Sequence, residues 1–139
     1  EYDIATRKYL RYQETVNVDA EAGIPETYAP LIDAVTNQQV NAENVVFLFV
    51  SHTFANKFNA EDEVYNINLL DAGLAYVFRD GVVIPARWAR PEKDQPLFLT
   101  TLDGDPIFLR PGRTFYEVLG VTSTIQPEAD GWRFQFQTP

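Results

Sequence analysis

The chain has 139 residues, a formal charge of −9 and no cysteine. A length of this order suits one domain with a sizeable core. The negative charge repels phosphate backbones and anionic lipid, which argues against nucleic acid as a partner, and the lack of cysteine removes disulfides, thiolate catalysis and cysteine-based zinc sites together. Apolar residues make up 45% of the chain and aromatics 14%. Phe and Tyr supply most of the aromatics, and both favour strands. No apolar run reaches the roughly 18 residues that a membrane-spanning helix needs. No leader sequence is visible, and a first residue of Glu rather than Met suggests a processed or excised chain.

In chain order, "RKYLRYQ" (7–13) reads as a short first strand. Residues 14–44 read as a long polar connection with at most one helical turn, because Pro30 and the β-branched Val35 and Thr36 interrupt the helical pattern. "VVFLFV" (45–50) is an unbroken apolar run, the mark of a strand covered on both faces. "FANKFNAEDEV" (54–64) is a polar crossing with room for a short helix. "VYNINLL" (64–70) alternates as a half-buried strand does.

Residues 74–88 form the most specific local signal. Asp80-Gly81 tolerates the positive φ angles of a two-residue hairpin turn. A turn there pairs Phe78 with Val83 and Tyr76 with Pro85 on one face, and Val77 with Ile84 and Ala75 with Ala86 on the other. Trp88 extends the second face. One face must meet the core, and the other needs a cover: the 14–44 connection, a copy of the chain, or a further domain. A second hairpin is expected in 96–109, turning at Asp103-Gly104. "RTFYEVLG" (113–120) follows as a strand. "ADGWRFQFQ" (129–137) closes the chain, with Trp132, Phe134 and Phe136 on one face and Arg133, Gln135 and Gln137 on the other. The expected class is mainly β: a single antiparallel barrel- or sandwich-like domain with at most one or two short helices.

Residues able to carry chemistry are few. His52 is the sole histidine, and Ser51 beside it points to the opposite face of a strand, so the two cannot act as base and nucleophile. One histidine cannot make a zinc site. "DGD" (103–105) and "AEDE" (60–63) lack the ligand spacing of a calcium loop and read as turn and solvated loop. Phosphate-binding glycine motifs are absent. The reading therefore contains no catalytic, cofactor or metal residue. "ARWARP" (86–91) is the best local patch: Arg87 and Arg90 beside Trp88 suit a carboxylate, a sugar or a peptide, against the plainer reading of solvated arginines flanking a core indole. Tyr76 and Phe78 join the candidate contacts if their face is uncovered.

The order of "YDIATRKYLRY", "LIDAVTNQQVNAENVVFLFV", "INLLDAGLAYVFRDGVVIPARW" and "PLFLTTLDGDPIFLRPGRTFYEVL" resembles the C-terminal domain of the YerB-like bacterial lipoproteins, a family classed as of unknown function. The shared pattern is an Asp-x-x-Thr segment (33–36), an Asn-Val-Val strand (44–46), an Ala-x-Val-Phe-x-Asp-Gly hairpin ending in Trp, and a Pro-Gly-x-Thr turn (111–114), over about residues 2–119. Asn37 stands where the family often has Gly, and an early His-x-Asp stretch lacks its His around Asp19. The resemblance implies an exported protein, lipid-anchored on the cell surface or extracellular, with a separate N-terminal domain preceding this one. It brings no catalytic residues.

Taken together these readings point to a non-enzymatic binding or interaction module. Its candidate partners are its own N-terminal domain, a protein or cell-envelope ligand, and a second copy docked on the hairpin face. The alternative is part of an enzyme with its active site at the boundary to the N-terminal domain.

Overall fold

The computed structural model describes residues 1–15, 26–55 and 64–137. Among them there is no helix, and the class is mainly β and sandwich-like. Strands β1 (Tyr2–Asp3), β2 (Lys8–Leu10) and β5 (Asn41–Ala42) make a small sheet. β3 (Tyr12–Glu14) pairs with β4 (Tyr28–Pro30). The main sheet has the order β10 (Phe98–Thr101), β9 (Val82–Arg90), β8 (Asp71–Arg79), β6 (Asn44–Phe54), β11 (Thr114–Gly120), and β7 (Tyr65–Asn68) pairs with the far end of β6. β12 (Thr124–Glu128) and β13 (Gly131–Gln135) form a terminal hairpin. None of these sheets closes into a barrel.

The expected hairpin is present in its expected register, with Phe78 opposite Val83, Val77 opposite Ile84 and Ala75 opposite Ala86. Asp80 (φ 54°) and Gly81 (φ 78°) both take positive φ, the requirement of a turn whose twist matches its strands. The face carrying Ala75, Val77, Ala86 and Trp88 is the core face, joined by Val46, Leu48, Val50 and Leu99. β6 is covered on both sides, because its other face carries Phe47 and Phe49 against further aromatic rings.

Several expectations need correction. The first strand is two strands, interrupted at Arg11. The connection that follows carries β4, β5 and one turn at 33–37, closed by the Asn37 N–H on the Asp33 carbonyl at 2.8 Å. The parts of the connection at 16–25 and of the polar crossing at 56–63 lie outside the described residues. The second hairpin turns back at Asp103-Gly104 but is short: one bridge, Thr100 with Pro106, flanked by the Thr101 N–H on the Asp105 carbonyl at 2.8 Å and the Ile107 N–H on the Leu99 carbonyl at 2.9 Å, while Ile107 and Leu109 pack on the core. β12 carries Gln126 and Pro127, which leave it without an apolar strand signature, and among the described residues it pairs with β13. β11 runs parallel to β6, which local patterning does not reveal.

The ladders on β6 are interrupted in one place. β8 pairs up to Leu48 and β7 resumes at Ser51, so Phe49 and Val50 face the six residues 69–74. The Phe49 carbonyl in this gap accepts a hydrogen bond from the Trp88 indole Nε1 at 2.9 Å. Gly73, opposite Trp88, makes the arrangement possible: a Cβ there would lie 2.5 Å from Nε1 and 2.6 Å from the Phe49 oxygen. Gly73→Ala is therefore expected to destabilise the fold by about 1–3 kcal/mol through overpacking and a displaced indole. The check is a lowered urea midpoint together with a changed Trp88 fluorescence, and unchanged values of both would refute the account.

Candidate functional site

The sequence patch around Trp88 is not one surface. Trp88 is 2% exposed and belongs to the core, whereas Arg87, the next residue on the strand, points to the opposite face and is exposed. Arg90 donates through Nε to the Gln95 carbonyl at 2.9 Å and through Nη2 to that of Lys93 at 2.5 Å, and so holds the 91–96 loop. His52 is buried, with Nδ1 2.9 Å from the Val50 carbonyl and its ring edge-on to Tyr65 and Phe136. Ser51 is exposed on the other side of the strand.

Tyr76 and Phe78 lie in one aromatic cluster, on the hairpin face opposite Trp88. That face is covered by the two ends of the chain. Phe134 of β13 stacks flat on Phe47, centroids 3.7 Å apart and planes at 4°. Around this pair stand Phe78, 5.9 Å from Phe134, and Tyr76, also 5.9 Å, both edge-on. Trp132 tilts against Tyr76 at 6.3 Å, and Tyr9 from β2 meets Phe78 edge-on at 6.5 Å. Edge-to-face and offset contacts of this kind suit the quadrupoles of the rings.

Between the terminal hairpin, the main sheet and the small sheet there remains a groove of about 250 Å³. Leu10, Val45, Phe47, Phe115, Trp132 and Phe134 are among the apolar side chains of its wall. Its polar residues are Glu1, Tyr9, Arg11, Asn41 and Glu117. Arg11 pairs with Glu117 at 3.2 Å and lies over the Phe115 ring at 4.2 Å from its centre. The Tyr9 hydroxyl accepts the Gly81 N–H at 3.0 Å, tying the small sheet to the hairpin turn. Trp132 is 39% exposed at the groove's edge. The alternation of Trp132, Phe134 and Phe136 was visible in the sequence, and the side they cover was not. The meeting of Arg11 with Phe115 and Glu117 carries no local signal, since it depends on the parallel pairing of β11 with β6. Among the described residues, no group of three or more His, Asp or Glu side chains is placed to hold a metal ion.

Burial pushes the Tyr9 hydroxyl above its usual range, partly opposed by the Gly81 N–H, and burial does the same for Tyr116. Both groups keep their protons longer in the folded than in the unfolded chain. Above about pH 10, where an unfolded tyrosine ionises, the folded state therefore binds more protons, and stability falls as pH rises further. Urea unfolding at about pH 9 and about pH 11 should show this decline, with a shallower decline in Tyr9→Phe. An equal slope in the variant would exclude Tyr9 as a source.

Comparison with known proteins follows the fold. No curated protein matches the sequence. The structure is similar to the crystal structure of the YerB protein from Bacillus subtilis, with a TM-score of 0.62 and 18% identity, over 97% of this chain and 37% of that one. The chain thus spans little more than a third of that relative's length, and the likeness is one of fold. A family model described as "Protein of unknown function (DUF3048) C-terminal domain" matches residues 1–116. With most of its length matched, the chain belongs to the DUF3048 C-terminal domain family.

Proposed function

We propose that this domain is a non-enzymatic binding module of an exported, cell-surface protein, and that its contact site is the aromatic groove rather than the Arg87–Arg90 strand end. The observation that carries the reading is the make-up of the groove wall: aromatic and aliphatic side chains from β2, β6, β11 and β13, with the Arg11–Glu117 ion pair at the side. A wall of this kind stabilises a ligand by removing apolar area from water and orients it with few polar contacts. A volume of about 250 Å³ suits one or two large apolar side chains of a partner rather than an entire large ligand. Arg11 stacked on Phe115 supplies a planar cation next to the apolar wall. Placement at the cell surface rests on the resemblance to bacterial lipoproteins.

The site is tested with anilinonaphthalene sulfonate, an aromatic anion whose emission rises in apolar surroundings. Saturable binding is expected, weakened about tenfold in Trp132→Ala, which removes one wall. Arg87→Ala should leave binding unchanged. Absence of saturable binding in the unaltered protein, or an unaffected Trp132→Ala, would count against the groove. Export is checked separately, by whether protease added to intact cells reaches the domain in its full-length protein.

A further inference from the structure

At the turn of the main hairpin, far from Trp88, three arginines gather on one carboxylate. Arg7 Nη2 lies 2.8 Å from Asp80 Oδ1, Arg110 Nη1 3.6 Å from the same oxygen, and Arg79 Nε 4.0 Å from Oδ2. The three come from different parts of the chain: the β1–β2 turn, the end of β8, and the segment before β11. They are held in place by further bonds. Arg110 Nη1 donates to the Arg7 carbonyl at 2.5 Å, and Arg79 Nη1 donates to the Phe108 carbonyl. Among the described residues the cluster itself contains no second carboxylate, so three positive charges share one negative charge and two stay unbalanced. Nearby Asp3 spends its oxygens on the Ala5 and Thr6 N–H groups and the Thr6 hydroxyl, and Glu43 pairs with Lys8. A local excess of positive charge is conspicuous in a chain of formal charge −9.

We propose that this tip binds a phosphate-type oxyanion, with Arg7, Arg79 and Arg110 as its donors and Asp80 as an internal carboxylate that competes for them. Each guanidinium has five N–H donors in a fixed fork, and the bonds above occupy only some of them. A phosphate monoester carries about −1.5 to −2 charge and three acceptor oxygens, which matches the two unbalanced positive charges. A long polyanion is disfavoured, because the rest of the surface is acidic. Two sources share this chemistry, a soluble phosphate compound and a phospholipid headgroup. The second has its own supporting feature: Ile4 and Phe108, at 82% and 79% exposure, flank the arginines on the segments that carry Arg7 and Arg110. Apolar side chains beside cations are the pattern of an interfacial contact.

The test titrates inorganic phosphate into the labelled protein and follows backbone amide signals, Gly81 above all. Saturable shifts are expected around the turn. The variant Arg7→Gln/Arg110→Gln should bind about tenfold more weakly, as loss of charge-assisted hydrogen bonds implies. Asp80→Asn is the decisive variant. Asn-Gly suits the same turn, so the hairpin is kept, while the internal competitor for the arginines is neutralised. It should bind phosphate about tenfold more tightly, whereas a purely structural network gains nothing from the change. Shifts that stay linear in phosphate, or an Asp80→Asn affinity no higher than the unaltered protein's, would overturn the proposal. Vesicles containing phosphatidylglycerol, set against phosphatidylcholine alone, separate the sources. Binding to the former that is lost in Ile4→Ser/Phe108→Ser assigns the site to lipid headgroups, and phosphate binding without vesicle binding assigns it to a soluble ligand.

Discussion

The side chain of Asn44 holds the architecture together. It is fully buried at the head of β6, and its polar atoms are all engaged. Nδ2 donates to the Arg110 carbonyl at 2.9 Å and to Thr114 Oγ1 at 3.1 Å, and Oδ1 accepts the Arg110 N–H at 2.9 Å. An unpaired amide at such a depth would cost on the order of 1–3 kcal/mol, so the segment 110–114 has one low-energy position. That position starts β11 beside β6. A parallel neighbour cannot come from a short turn and needs a long connection, here residues 55–113, which carry β7, β8, β9 and β10. Asn44 ends that path at a defined register. Glu43 reinforces it by accepting the Arg113 N–H at 2.6 Å, packed where a side chain on Gly112 (φ 133°) would stand.

Everything in the groove follows from that register. With Thr114 opposite Asn44, Phe115 falls beside Val45 and Glu117 beside Phe47, while Val118 turns to the core. A slip of one residue would reverse these faces. The Arg11–Glu117 pair and the stacking of Arg11 on Phe115 exist only because β11 lies where Asn44 puts it. On the other flank of β6, the gap in the ladder near Phe49 gives the Trp88 indole its acceptor. The two sides of one strand thus divide the molecule: a core below, sealed by Trp88, and an aromatic face above, closed by the chain's own ends.

Much of this was legible locally. The turn at Asp80-Gly81, the pairing through it, and the sidedness of Trp88, Trp132 and Phe134 follow from period-two alternation and turn chemistry. What alternation cannot supply is the identity of a neighbour. It showed that the face of Tyr76 and Phe78 needed a cover, and it could not say that Tyr9 and Phe134 provide one. "ARWAR" looked like a patch because arginines flank an indole in the sequence. On a strand, that adjacency places Arg87 and Trp88 on opposite faces. β12, with Pro127 and a mostly exposed surface, has no apolar stripe that alternation could reveal.

The residues that carry the family pattern turn out to be scaffold. Asp33 Oδ1 accepts the N–H groups of Val35 and Thr36 and the Thr36 hydroxyl, and Asn37 takes φ 54°, where glycine is equally at home. Asn44 and Thr114 bond to each other, Asp80-Gly81 makes the turn, and Trp88 fills the core. These positions determine where strands lie and leave the ligand open. The groove draws part of its wall from Trp132 and Phe134, beyond the matched residues 1–116. The family match therefore covers the frame, while Trp132 and Phe134 of the groove wall lie outside the matched residues. A different sequence at 124–136 on the same frame would keep the sheet and the Asn44 clamp and present a different surface above Phe47.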